Sequence, residues 1–264
     1  MSLVRVLARV VGELLLTAGA VVVLFGVYQL VWTNLEAAAA QRELTGEMRR
    51  SWDNADPSGA DPSGADPSGA DPSGDNPSAS DVPAEQARAP ATGEGLALLH
   101  IPRLGPGWVR PVVQGVAPAD LARGVGHYAE TALPGEVGNF AVAGHRATRG
   151  EPLRQLDRLR TGDAVVVETR DAWFTYAVRA DPVVVASTAT GVIAPVPDSS
   201  LSGKAVPAPT VSGERLLTLT TCHPRWSSEK RMIVHAALVD ERPHAAGSPP
   251  ALAEARPGPA PGGG

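Results

Sequence analysis

Apolar positions fall into three regimes along the chain. From Leu14 to Trp32 every residue is apolar or small except Thr17 and Gln29, a run long enough to cross a bilayer as one helix. Arg5 and Arg9 precede it, and Tyr28 and Trp32 close it as interfacial anchors. This pattern predicts residues 1–9 in the cytoplasm, a transmembrane signal anchor over 10–32, and everything after it outside the cell. Arg42, Arg49 and Arg50 blur the charge asymmetry, and the alanines at 37–40 offer the small residues of a cleavage site. The apolar run is nevertheless longer than a cleaved leader carries, so an uncleaved anchor is the reading.

Between Ser51 and about Glu94 the apolar pattern vanishes. The pentapeptide ADPSG repeats four times from Ala55 to Gly74, followed by DNPSASDVPAEQARAPATGEG. Such a composition buries no core, and a five-residue period is too short for a solenoid unit. Residues 33–94 therefore read as an extracellular linker, and its low-complexity part of roughly 40 residues as a flexible tether averaging roughly 35 Å that stretches to about 130 Å.

The third regime, residues 95–242, alternates short runs of branched and aromatic residues with turn signals: LALLHIP, VRPVVQG, NFAVAGH, DAVVVETR, WFTYAVRA, PVVVAS, RLLTLTTC and RMIVHAALV. Seven or eight strands at this spacing predict a mainly β domain, a barrel or sandwich. Helix signals are confined to PADLARG at 118–124 and PLRQLDRL at 152–159, where Leu153, Leu156 and Leu159 lie three apart. Residues 243–264 lack periodicity and read as a disordered tail.

Charge and cysteine content narrow the chemistry. A net charge of -5 without a long basic run gives no electrostatic footprint for nucleic acid. The single cysteine, Cys222, excludes an internal disulfide framework and multi-cysteine zinc patterns, and an odd cysteine in an exported chain is either paired between molecules or a free reactive thiol. Alternation in RLLTLTTC puts Leu217, Leu219 and Thr221 on one face and Leu216, Thr218, Thr220 and Cys222 on the other. Eight residues, HPRWSSEK, separate Cys222 from Arg231 at the head of the next run. An antiparallel hairpin across that loop makes thiol and guanidinium neighbours. A cation there favours the thiolate and can hold an oxyanion forming beside the sulfur.

A thiolate nucleophile needs a proton donor for its leaving group, commonly histidine. His145 ends the apolar run GNFAVAGH where a loop begins, the place functional residues favour. His127 and His223 are its rivals, although a residue adjacent to Cys222 in a strand points to the opposite face. His100, His235 and His244 read as strand or tail residues. The residues alone leave this choice open, including the reading in which no histidine is catalytic.

TLTTC with EKR at 229–231, preceded by NFAVAGHR, resembles the sortase family of Gram-positive cell-surface transpeptidases. LHIPRLG, PVVQG, GVGHYAETALPGEVGN and TGDAVVVET extend the likeness over nearly all of 96–240. The resemblance implies an eight-stranded β-barrel that cuts an LPxTG-type sorting signal between Thr and Gly. It implies Cys222 as the nucleophile forming a thioacyl enzyme, His145 as the acid and base, and Arg231 as the holder of substrate backbone and oxyanion. Its implied partners are surface proteins carrying the signal and an amine of peptidoglycan or its lipid-linked precursor. No metal or organic cofactor enters this chemistry. Some relatives are stimulated by calcium, and no acidic cluster here matches such a site. Tyr128 in GHYAE replaces a small pocket residue of housekeeping members and resembles class E sortases of high-GC bacteria, which favour LAxTG. Ala143 and Thr220 match further pocket positions, and the segment from Thr188 to Ser212 matches the signal-recognising loop.

Other readings fit the residues less well. Pilus-polymerising sortases bring an Asp-Pro-aromatic lid motif, whereas the repeats here put Ser after Pro. L,D-transpeptidases place their cysteine after a His-Gly pair, a thiol oxidoreductase wants a second cysteine, and a wall-interaction module with Cys222 as a buried structural thiol is the non-enzymatic alternative.

Overall fold

The computed structural model describes residues 2–55, 89–198 and 213–254. Most of the ADPSG repeats, residues 199–212 of the expected recognition loop, and the last residues of the tail lie outside the described residues.

Among the described residues nine strands make one sheet: β1 (Gly95–His100), β2 (Val109–Gln114), β3 (Val125–His127), β4 (Gly138–Ala143), β5 (Ala164–Glu168), β6 (Ala172–Val178), β7 (Val183–Ala186), β8 (Arg215–His223) and β9 (Lys230–Pro243). Their order is β6-β5-β1-β2-β3-β4-β8-β9-β7, and a further pairing of β6 with β9 closes eight of them into a barrel. The fold class is the one expected, with β7 as a ninth strand on the outside. β9 is long enough to serve two neighbours on one edge: Lys230 to Ile233 pair with β7, and Ala236 to Pro243 pair with β6. The β2–β3 and β4–β8 ladders are parallel and the rest antiparallel.

The barrel interior is filled by Leu99, Val112, Phe140, Val142, Val165, Val167, Tyr176, Leu217, Leu219 and Val234, among others. Leu153, Leu156 and Leu159 plug this core, all fully buried. The helix expected over 152–159 is only a 3-10 turn at Leu156–Arg158; leucines three apart match the three residues per turn of that conformation. The helix expected at PADLARG forms as α2 (Pro118–Arg123), where Asp120 accepts from the Ala117 N–H at 3.1 Å.

The N-terminal segment differs from the sequence reading. Helix α1 (Ser2–Ala55) does not stop at Trp32 but continues through 33–55, residues assigned above to the linker. Its apolar first half, Val4 to Tyr28, is exposed at every described side chain and is long and apolar enough to cross a membrane. Its second half carries a single stripe, Ala37, Gln41, Leu44 and Met48, all buried. This stripe lies on the outer face of β1 and β2, where Leu44 and Met48 pack with Leu98 and Val113. Gly95 admits the helix at close range: a Cβ there would stand 2.6 Å from the Met48 sulfur.

The start of the predicted tail is also ordered. The ring of His244 stacks on Trp173 with centroids 5.0 Å apart, and its Nε2 lies 3.2 Å from Glu168. The chain then forms α3 (Pro250–Glu254). An aromatic platform and a buried carboxylate supply what the tail's own composition lacks.

Candidate active site

The site is built where β8 leaves the barrel. Leu217 and Leu219 point into the core, so Thr218, Thr220 and Cys222 line the outer face, as the alternation predicts. Cys222 is half-buried. It is the register partner of Arg231 in the β8–β9 hairpin, and partners in an antiparallel pair present their side chains on the same face. Arg231 Nη1 donates to the carbonyls of Ser228 and Lys230 at 2.8 and 3.1 Å. These bonds hold the guanidinium against the hairpin loop, and among the described residues it forms no ion pair.

His145 reaches the same place from β4. The parallel β4–β8 ladder ends with Ala143 opposite Thr220, and two bonds continue the pairing: Gly144 N–H to Thr220 O at 3.0 Å and Thr221 Oγ1 to Gly144 O at 2.7 Å. The ladder itself stops at Ala143; extended by two residues, its register would set His145 level with Cys222. Burial holds the His145 imidazole below its ordinary pKa, and the Arg149 guanidinium adds to this.

The other histidines separate by face. His127 pairs with Val142, an interior residue, and is fully buried. Its Nδ1 lies 2.8 Å from Gln114 Oε1 and its Nε2 3.1 Å from Ala132 O. It braces the barrel and does not face Cys222. His223 accepts from Arg146 Nη1 at 2.7 Å, and desolvation together with Arg146 lowers its pKa. His100 bonds Glu168 at 2.7 Å on another part of the sheet.

The three residues matched to a substrate pocket are contiguous. The Tyr128 hydroxyl is 3.1 Å from Thr220 Oγ1, Thr220 in turn donates to Val142 O at 3.2 Å, and Ala143 is Thr220's ladder partner. Beyond them on the same outer face, Thr218 donates to Asn139 Oδ1 at 2.8 Å and lies 2.9 Å from His235 Nδ1. Asn139 Nδ2 then donates to Ala194 O at 3.0 Å. This buried chain anchors the 3-10 turn Thr190–Ile193, which lies within the segment from Thr188 to Ser212 expected to recognise the signal.

Sequence reasoning missed the groups that join the two loops of the site. Arg146, nearly buried, bridges His223 and Asp157 at 2.7 and 3.3 Å. Glu151 accepts from Arg154 at 2.9 Å and from Arg225 at 2.8 Å, and the Arg225 guanidinium lies over the Trp226 ring. Arg146 stands beside His145, and Arg225 lies three residues after Cys222, but no local pattern marks such pairs.

The sortase domain model matches residues 99–239. Sortase SrtE1 of Streptomyces coelicolor is 37% identical over 94% of this chain, which spans 61% of that protein. SrtE2 of the same organism is 32% identical over 87% of the chain, which spans 81% of it. The solved structure of sortase E from Streptomyces avermitilis superposes with a TM-score of 0.55 at 42% identity, covering 61% of this chain and 99% of that one. Closed barrel, motif order and these likenesses agree: the chain belongs to the sortase family.

Proposed function

We propose that the protein is a membrane-anchored cysteine transpeptidase that joins surface proteins to the cell wall, with its barrel on the extracellular side. The observation that supports this most is the convergence of Cys222, Arg231 and His145 on one outer face of the barrel, through the β8–β9 register and the continued β4–β8 ladder.

His145 takes the proton of the Cys222 thiol, and the resulting thiolate attacks the Thr carbonyl carbon of an LAxTG- or LPxTG-type signal. Arg231 stabilises the tetrahedral oxyanion with a fork of N–H donors. The Thr–Gly C–N bond breaks as His145 gives its proton to the departing Gly amine. The incoming amine of peptidoglycan or its precursor then loses a proton to His145, attacks the thioester and expels the thiolate. A thioester retains acyl activation, which makes the enzyme a transferase where an amine is positioned ahead of water. Tyr128, Thr220 and Ala143 form the wall that meets the residue before the x position, and the tyrosine ring favours Ala over Pro there.

The test is mass spectrometry of the full chain in detergent micelles with LAxTG and LPxTG peptides and an amine acceptor. A thioacyl adduct on Cys222 and an amine-linked product are expected, faster with LAxTG. A folded chain that yields neither with either peptide overturns the reading.

A further inference from the structure

The loop between β4 and the Leu153 plug carries His145 and turns on three successive residues with positive φ: Arg149 at 55°, Gly150 at 77° and Glu151 at 48°. Two of these are not glycine, and left-handed backbone there costs on the order of 1 kcal/mol each. Such a tip persists only where its surroundings hold it. Inside the barrel domain, Glu151 N–H reaches Thr148 O at 3.0 Å and Leu153 N–H reaches His145 O at 3.1 Å.

The remaining hold comes from outside the domain. Gln41 Nε2 donates to Arg149 O at 3.1 Å, and Asn34 Oδ1 accepts from Gly150 N–H at 3.1 Å. Both residues belong to α1, and Asn34 lies two positions beyond Trp32, where the apolar run ends. Gln41 is buried, so its amide is committed to this contact. Gly150 is fitted to it: a Cβ would stand 2.9 Å from Gln41 Nε2. The backbone most in need of support, four to five residues from His145, is thus secured by the helix that emerges from the membrane.

We infer that Asn34 and Gln41 are positioning residues of the active site, clamping the His145 loop so that the docked membrane helix is part of the working enzyme. The inference rests on the proposed role of His145. The clamp acts on where the imidazole sits when it transfers a proton, so it governs kcat and leaves peptide affinity alone. A small misplacement of a catalytic group costs about tenfold or more.

The directions of the two bonds give the test its specificity. Asn34 accepts, so Asn34→Asp preserves its bond. Gln41 donates, so Gln41→Glu sets a carboxylate against a carbonyl. In the full chain in detergent micelles, transpeptidation of an LAxTG peptide should show kcat lowered about tenfold in the Asn34→Ala, Gln41→Ala double variant with KM unchanged. Asn34→Asp should be near wild type, Gln41→Glu at least as slow as Gln41→Ala, and Met48→Ala, which loosens the helix away from the loop, should keep its kcat. A double variant with wild-type kcat, or kcat losses that follow melting temperature across all five variants, overturns the clamp. Cys222→Ala in the same micelles separates the two claims: if it still turns over, the functional reading fails and takes the clamp with it, whereas an inert Cys222→Ala beside a fully active double variant sinks the clamp alone.

Discussion

Arg225 Nη2 donates to Glu151 Oε1 at 2.8 Å, joining the loop after Cys222 to the loop after His145. Cys222 and His145, the proposed nucleophile and proton donor, belong to segments far apart in sequence, and this half-buried pair spans the loops that follow them. A charge-assisted bond of this kind contributes about 1.5–3 kcal/mol where it is shielded, less at its exposed edge. Arg225→Ala is expected to slow transpeptidation several-fold while the barrel stays folded, and Glu151→Gln to do so more mildly because one acceptor oxygen survives. Steady-state rates beside thermal melts check both.

The proposed catalytic trio gives the sharpest outcomes. Cys222→Ala should abolish turnover. His145→Ala and Arg231→Ala should each lose about two to four orders of magnitude in kcat/KM. Arg231→Lys should also be poor, because an ammonium lacks the guanidinium's planar fork. Wild-type rates in any of these, from folded protein, remove that residue from the mechanism.

Tyr128 and Thr220 share a hydroxyl contact at 3.1 Å, and Thr220 Oγ1 keeps its bond to Val142 O when the phenol is lost. Tyr128→Phe is therefore expected to cost about 1 kcal/mol or less in stability. Tyr128→Ala opens the wall instead and should raise the rate with LPxTG relative to LAxTG. Competition between the two peptides, read by mass, decides this, and an unchanged ratio assigns Tyr128 to packing.

His235 makes the fold sensitive to acid. Burial, with the Arg179 guanidinium, lowers its pKa from 6.5 to about 4. Between those values the unfolded chain takes up a proton that the folded chain refuses. Stability is then full above about pH 6.5 and falls as pH drops towards 4, by on the order of 3 kcal/mol. Urea midpoints at about pH 7.5 and 4.5 should differ by this amount beyond the background of other groups, and His235→Gln should flatten the difference. The proton strikes the Thr218–Asn139 chain that anchors the 190–193 turn, so local loosening there should precede global unfolding.

The hairpin of β8 and β9 is legible because both strands have a clean two-residue alternation and one loop, which together put Arg231 opposite Cys222. β3 is not: Val125–His127 is three residues long with a glycine in the middle, too short to show a period, and with it went the face of His127. The α1 extension was legible in principle. Ala37, Gln41, Leu44, Met48 and Trp52 repeat at helical spacing, but alanines and a glutamine are a weak apolar stripe, and the neighbouring repeats dominate the composition of that region. His244 reads as part of a tail because its partners, Trp173 and Glu168, lie some 70 residues away. Contacts across such separations, like that of Arg225 with Glu151, leave no local periodicity to read.

The unbroken run of α1 from its apolar half into its docked half turns sequence length into altitude and heading. At 1.5 Å and about 100° per residue, one residue inserted between Trp32 and Asn34 would lift the barrel only slightly but swing it by more than a quarter turn relative to the apolar half of the helix. The number of ADPSG units, by contrast, sits downstream of the docked helix, between Ala55 and the approach to β1. It can drift without changing the height or bearing of the barrel on that helix.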